Sequence, residues 1–198
     1  MKKFIAAGLA LCMAFMLAAC GASPSSTASQ AGSGTSAAAD GSAVTIKLGG
    51  IGPITGSTAV YGEAVMNGAQ IAVDEINASD SAVKFEYNFQ DDEGDAETAV
   101  NAYNILKDWG MQVLMGTVTT APCLAVISET EADNMFQITP SASSTDVIVP
   151  DNVFQVCFTD PNQGVSAADY IADNGLATKV AAIYDSSDAY SSGIYNAF

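Results

Sequence analysis

Residues 44–90, VTIKLGGIGPITGSTAVYGEAVMNGAQIAVDEINASDSAVKFEYNFQ, carry the two periodicities that decide the fold. The stretch opens with an apolar-rich run over residues 44–51 that closes on glycines, a first strand. Val65, Ala69, Ala72, Val73 and Ile76 then fall on one face at helical spacing, which predicts a helix over residues 58–77. Val83, Phe85, Tyr87 and Phe89 alternate with Lys84, Glu86, Asn88 and Gln90, the period-two pattern of a strand with one wet face near a sheet edge.

The alternation continues outward. Asp95 can cap a second helix reaching residue 109, with Glu97 in its first turn. A third strand is expected over residues 112–116, a third helix over 121–133 and a fourth strand over 135–139. This βαβα order predicts an α/β fold, a parallel sheet with helices on both faces. A loop rich in Ser, Pro and Asp follows over residues 140–152, and then a strand over 153–158 with no helix between. A second series begins there: a helix over 163–174, a strand over 179–184, and the start of a helix after Tyr190. One helix and one or two strands cannot cover a sheet of their own, so the chain reads as a fragment of something nearly twice as long.

At the other end, Met1-Lys2-Lys3 precedes an apolar run to Leu17, and Ala18-Ala19-Cys20 closes it, the pattern of an export signal. The cysteine at the cut resembles the lipobox of bacterial lipoproteins. That resemblance implies that residues 1–19 are removed and that Cys20 carries a lipid holding a folded domain outside the cytoplasm. An ordinary signal with a chance cysteine is the other reading. Between Cys20 and residue 43 the chain is almost wholly Ser, Ala, Gly and Thr, too poor in apolar residues to fold and suited to a flexible linker.

Net charge is −16, and loss of Lys2 and Lys3 makes it −18. Such acidity repels nucleic-acid phosphates and anionic lipid headgroups. The chain has neither Arg nor His, so a ligand carboxylate must be held by backbone N–H groups, hydroxyls or a lysine. Imidazole catalysis and His-ligated metal sites are excluded for the residues present. Cys123 and Cys157 remain once Cys12 and Cys20 are set aside; export permits a disulfide, yet two separate buried thiols are the expectation.

Ligands of open α/β sheets bind at the carboxyl ends of the strands, where helix N-termini present N–H groups. Three such ends carry distinctive residues: 52–57 with Tyr61 beyond, 116–122 with Thr120 as a candidate N-cap, and 139–143. Hydroxyls around a helix N-terminus suit a small carboxylate. By position alone Thr120 and Ser143 could equally cap and turn.

Taken in order, Ile46-Lys47-Leu48-Gly49, Gly52-Pro53-Ile54-Thr55-Gly56, Tyr61-Gly62, Asn67-Gly68-Ala69, Asp74-Glu75-Ile76-Asn77, Asp91-Asp92, Thr139-Pro140-Ser141-Ala142-Ser143, Phe154-Gln155, Asp160-Pro161-Asn162-Gln163-Gly164 and Tyr184-Asp185 with Tyr190 give the chain from about residue 45 onward a specific likeness. It resembles the type I periplasmic binding proteins, in particular the branched-chain amino acid (Leu/Ile/Val) group of ABC-transporter substrate-binding lipoproteins. The resemblance implies two Rossmann-like lobes with parallel sheets: a first ligand-binding lobe over residues 44–152, then a hinge crossing and the start of an incomplete second lobe over 153–198. It implies a non-enzymatic solute-binding protein without a cofactor. Such a protein would be lipid-anchored outside the bacterial cell membrane, bind a small amino acid or amide by hinge closure and deliver it to ABC permease subunits. Within the site it implies that Val118 and Thr120 offer a main-chain contact and a hydroxyl to the ligand carboxylate. Ser141 and Ser143 would accept from the ligand ammonium, and Tyr61 and Tyr190 would face the cleft from the two lobes. Gln155 stands where the family commonly has Arg.

Two other functions fit parts of the chain. A receptor domain of the same fold would sense the ligand without transport. A nucleotide-dependent oxidoreductase is suggested by the glycines at 50, 52 and 56 followed by Asp91, but their spacing is wrong and Pro53 interrupts them. The run Asp91-Asp92-Glu93-Gly94-Asp95 falls short of a calcium loop.

Overall fold

The computed structural model describes residues 43–198; the segments expected to form an export signal and a linker, with Cys20, lie outside the described residues. Five strands form one parallel sheet: β1 (Val44–Gly52), β2 (Val83–Asp91), β3 (Val113–Gly116), β4 (Gln137–Thr139) and β5 (Val153–Gln155). Their order is β2-β1-β3-β4-β5, which puts β2 at an edge, as its alternating sequence predicts. Between them run α1 (Ala59–Ala78), α2 (Ala96–Trp109) and α3 (Thr120–Asp133), with a 3-10 turn at Thr145–Ile148 before β5. Two further helices follow, α4 (Asp160–Asp173) and α5 (Ala189–Ala197).

Local chemistry explains the boundaries. Asp95 caps α2 by accepting from Thr98 N at 2.9 Å, and Gly110, at φ 89°, ends it in the left-handed region that glycine adopts without strain. The main core lies between sheet, α2 and α3, where Ile51, Tyr103, Leu106, Leu114 and Val126 are fully buried. The Tyr103 hydroxyl reaches out of this core to donate to Asp133, which also pairs with Lys107. Helix α1 lies against β1 and β2 through Val73, with Val65, Ala69 and Ile76 half-buried, whereas Ala72 is exposed. The expected wet face of β2 is only partial, because α1 and α2 both lie against this strand and leave Glu86 alone exposed.

Three expectations are corrected. Helix α3 starts one residue early: Thr119, not Thr120, is its N-cap, and Thr120 is the first helical residue. Strand β5 ends at Gln155 and pairs with β4, so the first sheet extends past the lobe boundary placed after residue 152. Residues 179–184 form no strand and are exposed. A strand exists only through ladder bonds to a neighbour, and among the described residues none pairs with this segment.

Asp92 is a costly feature of the core rim. It is fully buried; Oδ1 accepts from Gly94 N at 2.8 Å, and Oδ2 has no partner among the described residues. Burial above all, with the charges of Asp91 and Asp95 adding and the Gly94 bond opposing, pushes its carboxyl up to about 6 from 3.8. The folded state therefore holds this proton more tightly than the unfolded one, and stability falls as pH rises from about 4 to about 6. Asp92→Asn should remove that fall, worth up to about 3 kcal/mol at 1.36 kcal/mol per pKa unit. Denaturant melts at pH 4.5 and 6.5 would measure it, and an identical pH slope in both proteins would refute the assignment.

Candidate functional site

Strand order reverses direction of growth between β1 and β3, and a cavity of about 520 Å³ opens at the carboxyl ends of the strands there. In open α/β sheets this switch point is where ligands settle. All six site residues expected from the sequence, Tyr61, Val118, Thr120, Ser141, Ser143 and Tyr190, line this one cavity.

Each reaches it from a different element. Tyr61 comes from the first turn of α1 and Tyr190 from the first turn of α5, and both are about half exposed, at 59% and 42%. Val118 and Thr120 bracket the start of α3 and are nearly buried. With its side chain packed inward, Val118 has only main chain to offer. Pro122 has no N–H and the Cys123 N–H is taken by Thr119 O, so the Thr120 and Ala121 N–H groups lack intrahelical acceptors at the cavity wall. The Thr119 hydroxyl makes no capping bond and is buried without a partner among the described residues. It is a lining residue that sequence reading assigned no role.

Ser141 and Ser143 sit in the loop after β4, Ser141 exposed and Ser143 nearly buried. A buried polar layer holds this loop and the one after β3. Gln137 donates to Gly116 O at 2.7 Å and accepts from the Thr130 hydroxyl at 2.7 Å. Thr139 Oγ1 donates to Thr117 O at 2.7 Å and accepts from Ala142 N at 3.0 Å. From β5, Gln155 Nε2 donates to Ala142 O at 2.6 Å. Gln155, noted in the sequence only as a departure from Arg, is thus a brace for the serine loop. An amide that reaches a loop 13 residues back in the chain carries no periodic signal that could have revealed this.

Among the described residues no Lys lines the cavity, so the groups in its lining that suit an anion are dipoles, the α3 N-terminus and the Thr120 hydroxyl. Asp188, which caps α5 by accepting from Ser191 N at 2.8 Å, and Tyr190 line the same cavity. Burial first, then the charge of Asp160, raises the Tyr190 phenol above its ordinary value, so it remains a neutral hydroxyl. Cys123 and Cys157 are free thiols, the first buried and the second half-buried. Burial pushes Cys123 up to about 11 and also raises Cys157, which leaves both protonated at neutral pH.

Asp91 is fully engaged elsewhere. Its carboxylate accepts from Ile54 N, Glu93 N and the Thr55 hydroxyl; burial acts to raise its pKa, but these bonds outweigh that and lower it. It ties down the loop after β1, and it is not free for the ribose contact that a dinucleotide site requires.

A parallel sheet in this order, with a cleft formed by strand ends and two flanking helices, defines a ligand-binding α/β domain. The chain belongs to the periplasmic binding protein family, whose model matches residues 45–198. It is 34% identical over 157 residues to the Leu/Ile/Val-binding protein homolog 3 of Brucella melitensis biotype 1, covering 77% of this chain and 42% of that protein. Among solved structures, it is similar to the branched-chain amino acid transporter substrate binding protein LivJ of Streptococcus pneumoniae in complex with isoleucine. That match has 29% identity and a TM-score of 0.73, covering 77% of this chain and 45% of the other. The leucine binding protein LivK of Thermotoga maritima gives 28% identity and a TM-score of 0.72, covering 77% and 44%. The chain therefore spans less than half the length of these relatives.

Proposed function

We propose that this chain binds a small amino acid of the branched-chain kind as the extracytoplasmic solute-binding component of an ABC importer, with no enzymatic step. The observation that carries this reading is the convergence of Val118, Thr120, Ser141 and Ser143 on one cavity, where the start of α3 and the loop after β4 meet. In the proposed mechanism the ligand carboxylate takes the Thr120 hydroxyl and the N–H groups at the start of α3. The Ser141 carbonyl and the Ser143 hydroxyl oxygen accept from the ammonium. Tyr61 and Tyr190 close over the aliphatic part as the lobes swing together about the hinge. The likeness to proteins that bind Leu, Ile and Val supports this choice of side chain.

Calorimetry and thermal-shift assays on the protein at its natural length test the reading. Leucine, isoleucine or valine should raise the melting temperature by mass action. Stabilisation by a nicotinamide or flavin nucleotide but by no amino acid or amide would refute it in favour of the oxidoreductase alternative.

The same proposal includes a lipid on Cys20 as the tether to the outer face of the cell membrane. Cys20→Ser should be released largely into the soluble fraction and should take up no labelled fatty acid. Equal membrane retention and labelling of both forms would defeat the anchor.

A further inference from the structure

Behind Ser143 stands a carboxylate that none of the proposed ligand contacts uses. Ser143 Oγ donates to Asp160 Oδ1 at 2.6 Å, with Ser143 4% and Asp160 1% exposed. The backbone repeats the link, Asp160 N donating to Ser143 O at 2.9 Å, so the loop after β4 and the first turn of α4 are joined at two points. The carboxylate cannot swing away. Its Oδ2 packs against α5, where a Cβ built on Gly193 would lie 2.9 Å from it, and it has no hydrogen-bond partner among the described residues. The other groups near Asp160 are Gln163, Asp188, Tyr190 and Cys157, none of them a cation.

A serine hydroxyl has one proton and two lone pairs. With the proton held by a carboxylate in a short, charge-assisted bond, the oxygen that lines the cavity can only accept. We propose that Asp160 is a specificity-determining positioning residue: by taking the Ser143 proton it fixes Ser143 as an acceptor and selects ligands bearing an ammonium over acids that lack one. A ligand oxygen at this end meets lone pairs and the negative charge of Asp160 and Asp188; an ammonium meets an acceptor and a favourable field. This rests on the amino-acid reading above, and it adds a residue that touches no ligand yet sets which ligand is taken.

The test measures dissociation constants for leucine and for its des-amino analogue 4-methylpentanoate in wild type, Asp160→Asn, Ser143→Ala and the double variant. An asparagine amide can donate to Ser143 Oγ and turn the serine proton toward the ligand. Asp160→Asn should therefore cut the preference for leucine about 10- to 100-fold, nearly all of it through leucine. Ser143→Ala should lose a similar preference, and the double variant should lose little more, since both changes remove one device. A role confined to holding the fold would weaken both ligands alike, and an unchanged preference overturns the proposal. Wild type binding leucine no better than buffer would instead overturn the amino-acid reading itself. If Asp160→Asn does not fold, proton NMR of wild type decides. A slowly exchanging hydroxyl resonance that disappears in Ser143→Ala supports the pairing, and its absence overturns it.

Discussion

Gly116→Ala should lower the melting temperature by roughly 6 to 12 °C, taking about 3 kcal/mol of strain and 2 to 4 °C per kcal/mol for a domain of this size. Gly116 has φ 139°, in a region that residues with a Cβ avoid. It also pairs with Ile51 across the β1–β3 ladder, and a Cβ there would lie 2.5 Å from Ile51 O and 3.0 Å from Ile51 N. Both obstacles are backbone, so no side-chain rotation relieves them. Any shift of β3 that did so would pull Gly116 O away from Gln137 and break into the buried polar layer. Differential scanning calorimetry gives the answer directly, and a melting temperature within about 2 °C of wild type would show that the strand accommodates the methyl group.

Thr120→Val should weaken binding of leucine about 10- to 100-fold while leaving the melting temperature of the ligand-free protein nearly unchanged. Valine matches threonine in shape, so α3 keeps its first residue and the cavity its outline. What the substitution removes is the hydroxyl proposed to donate to the ligand carboxylate, a charge-assisted bond worth roughly 1.5 to 3 kcal/mol, or one to two decades of affinity at 1.4 kcal/mol each. Since Thr119, not Thr120, occupies the N-cap, the substitution does not remove a cap. Titration calorimetry checks it, and an affinity within about threefold of wild type would place the carboxylate elsewhere.

What the sequence made legible follows from which interactions are local. The first four strands and three helices are readable because local signals mark them in successive residues: the apolar–polar alternation of Val83 to Phe89, the helical spacing of Val65 to Ile76, the cap at Asp95. The start of α3 differs by one residue because Thr119 and Thr120 are chemically identical candidates, and only the backbone, extended at Thr119 and helical from Thr120, distinguishes them. Residues 179–184 carry an apolar strand pattern, but a pattern cannot supply the neighbouring strand on which a ladder depends. The residues proposed for the site are singled out by the family likeness alone. Nothing in the spacing of Thr120, Ser143 and Tyr190 brings them to one cavity; the 2-1-3-4-5 sheet order does. The roles of Gln155 and Asp160 are not legible in the sequence, because the partners they hold, Ala142 and Ser143, lie 13 and 17 residues away and become neighbours only after β5 closes on β4.

One hydroxyl in this arrangement has a consequence for how a ligand is met. Thr139 Oγ1 is both donor to the loop after β3 and acceptor from the loop after β4, at 2.7 and 3.0 Å, and it is wholly enclosed. The segment proposed to hold the negative end of a ligand and the segment proposed to hold its positive end are therefore one mechanical unit, spaced before anything arrives. The conformational entropy of arranging them is lost when the chain folds and is absent from the free energy of association. A half-site of this kind works as a fixed gauge: it measures the distance between two charged groups, and a molecule with the right charges at the wrong separation can satisfy one end only by forfeiting the other.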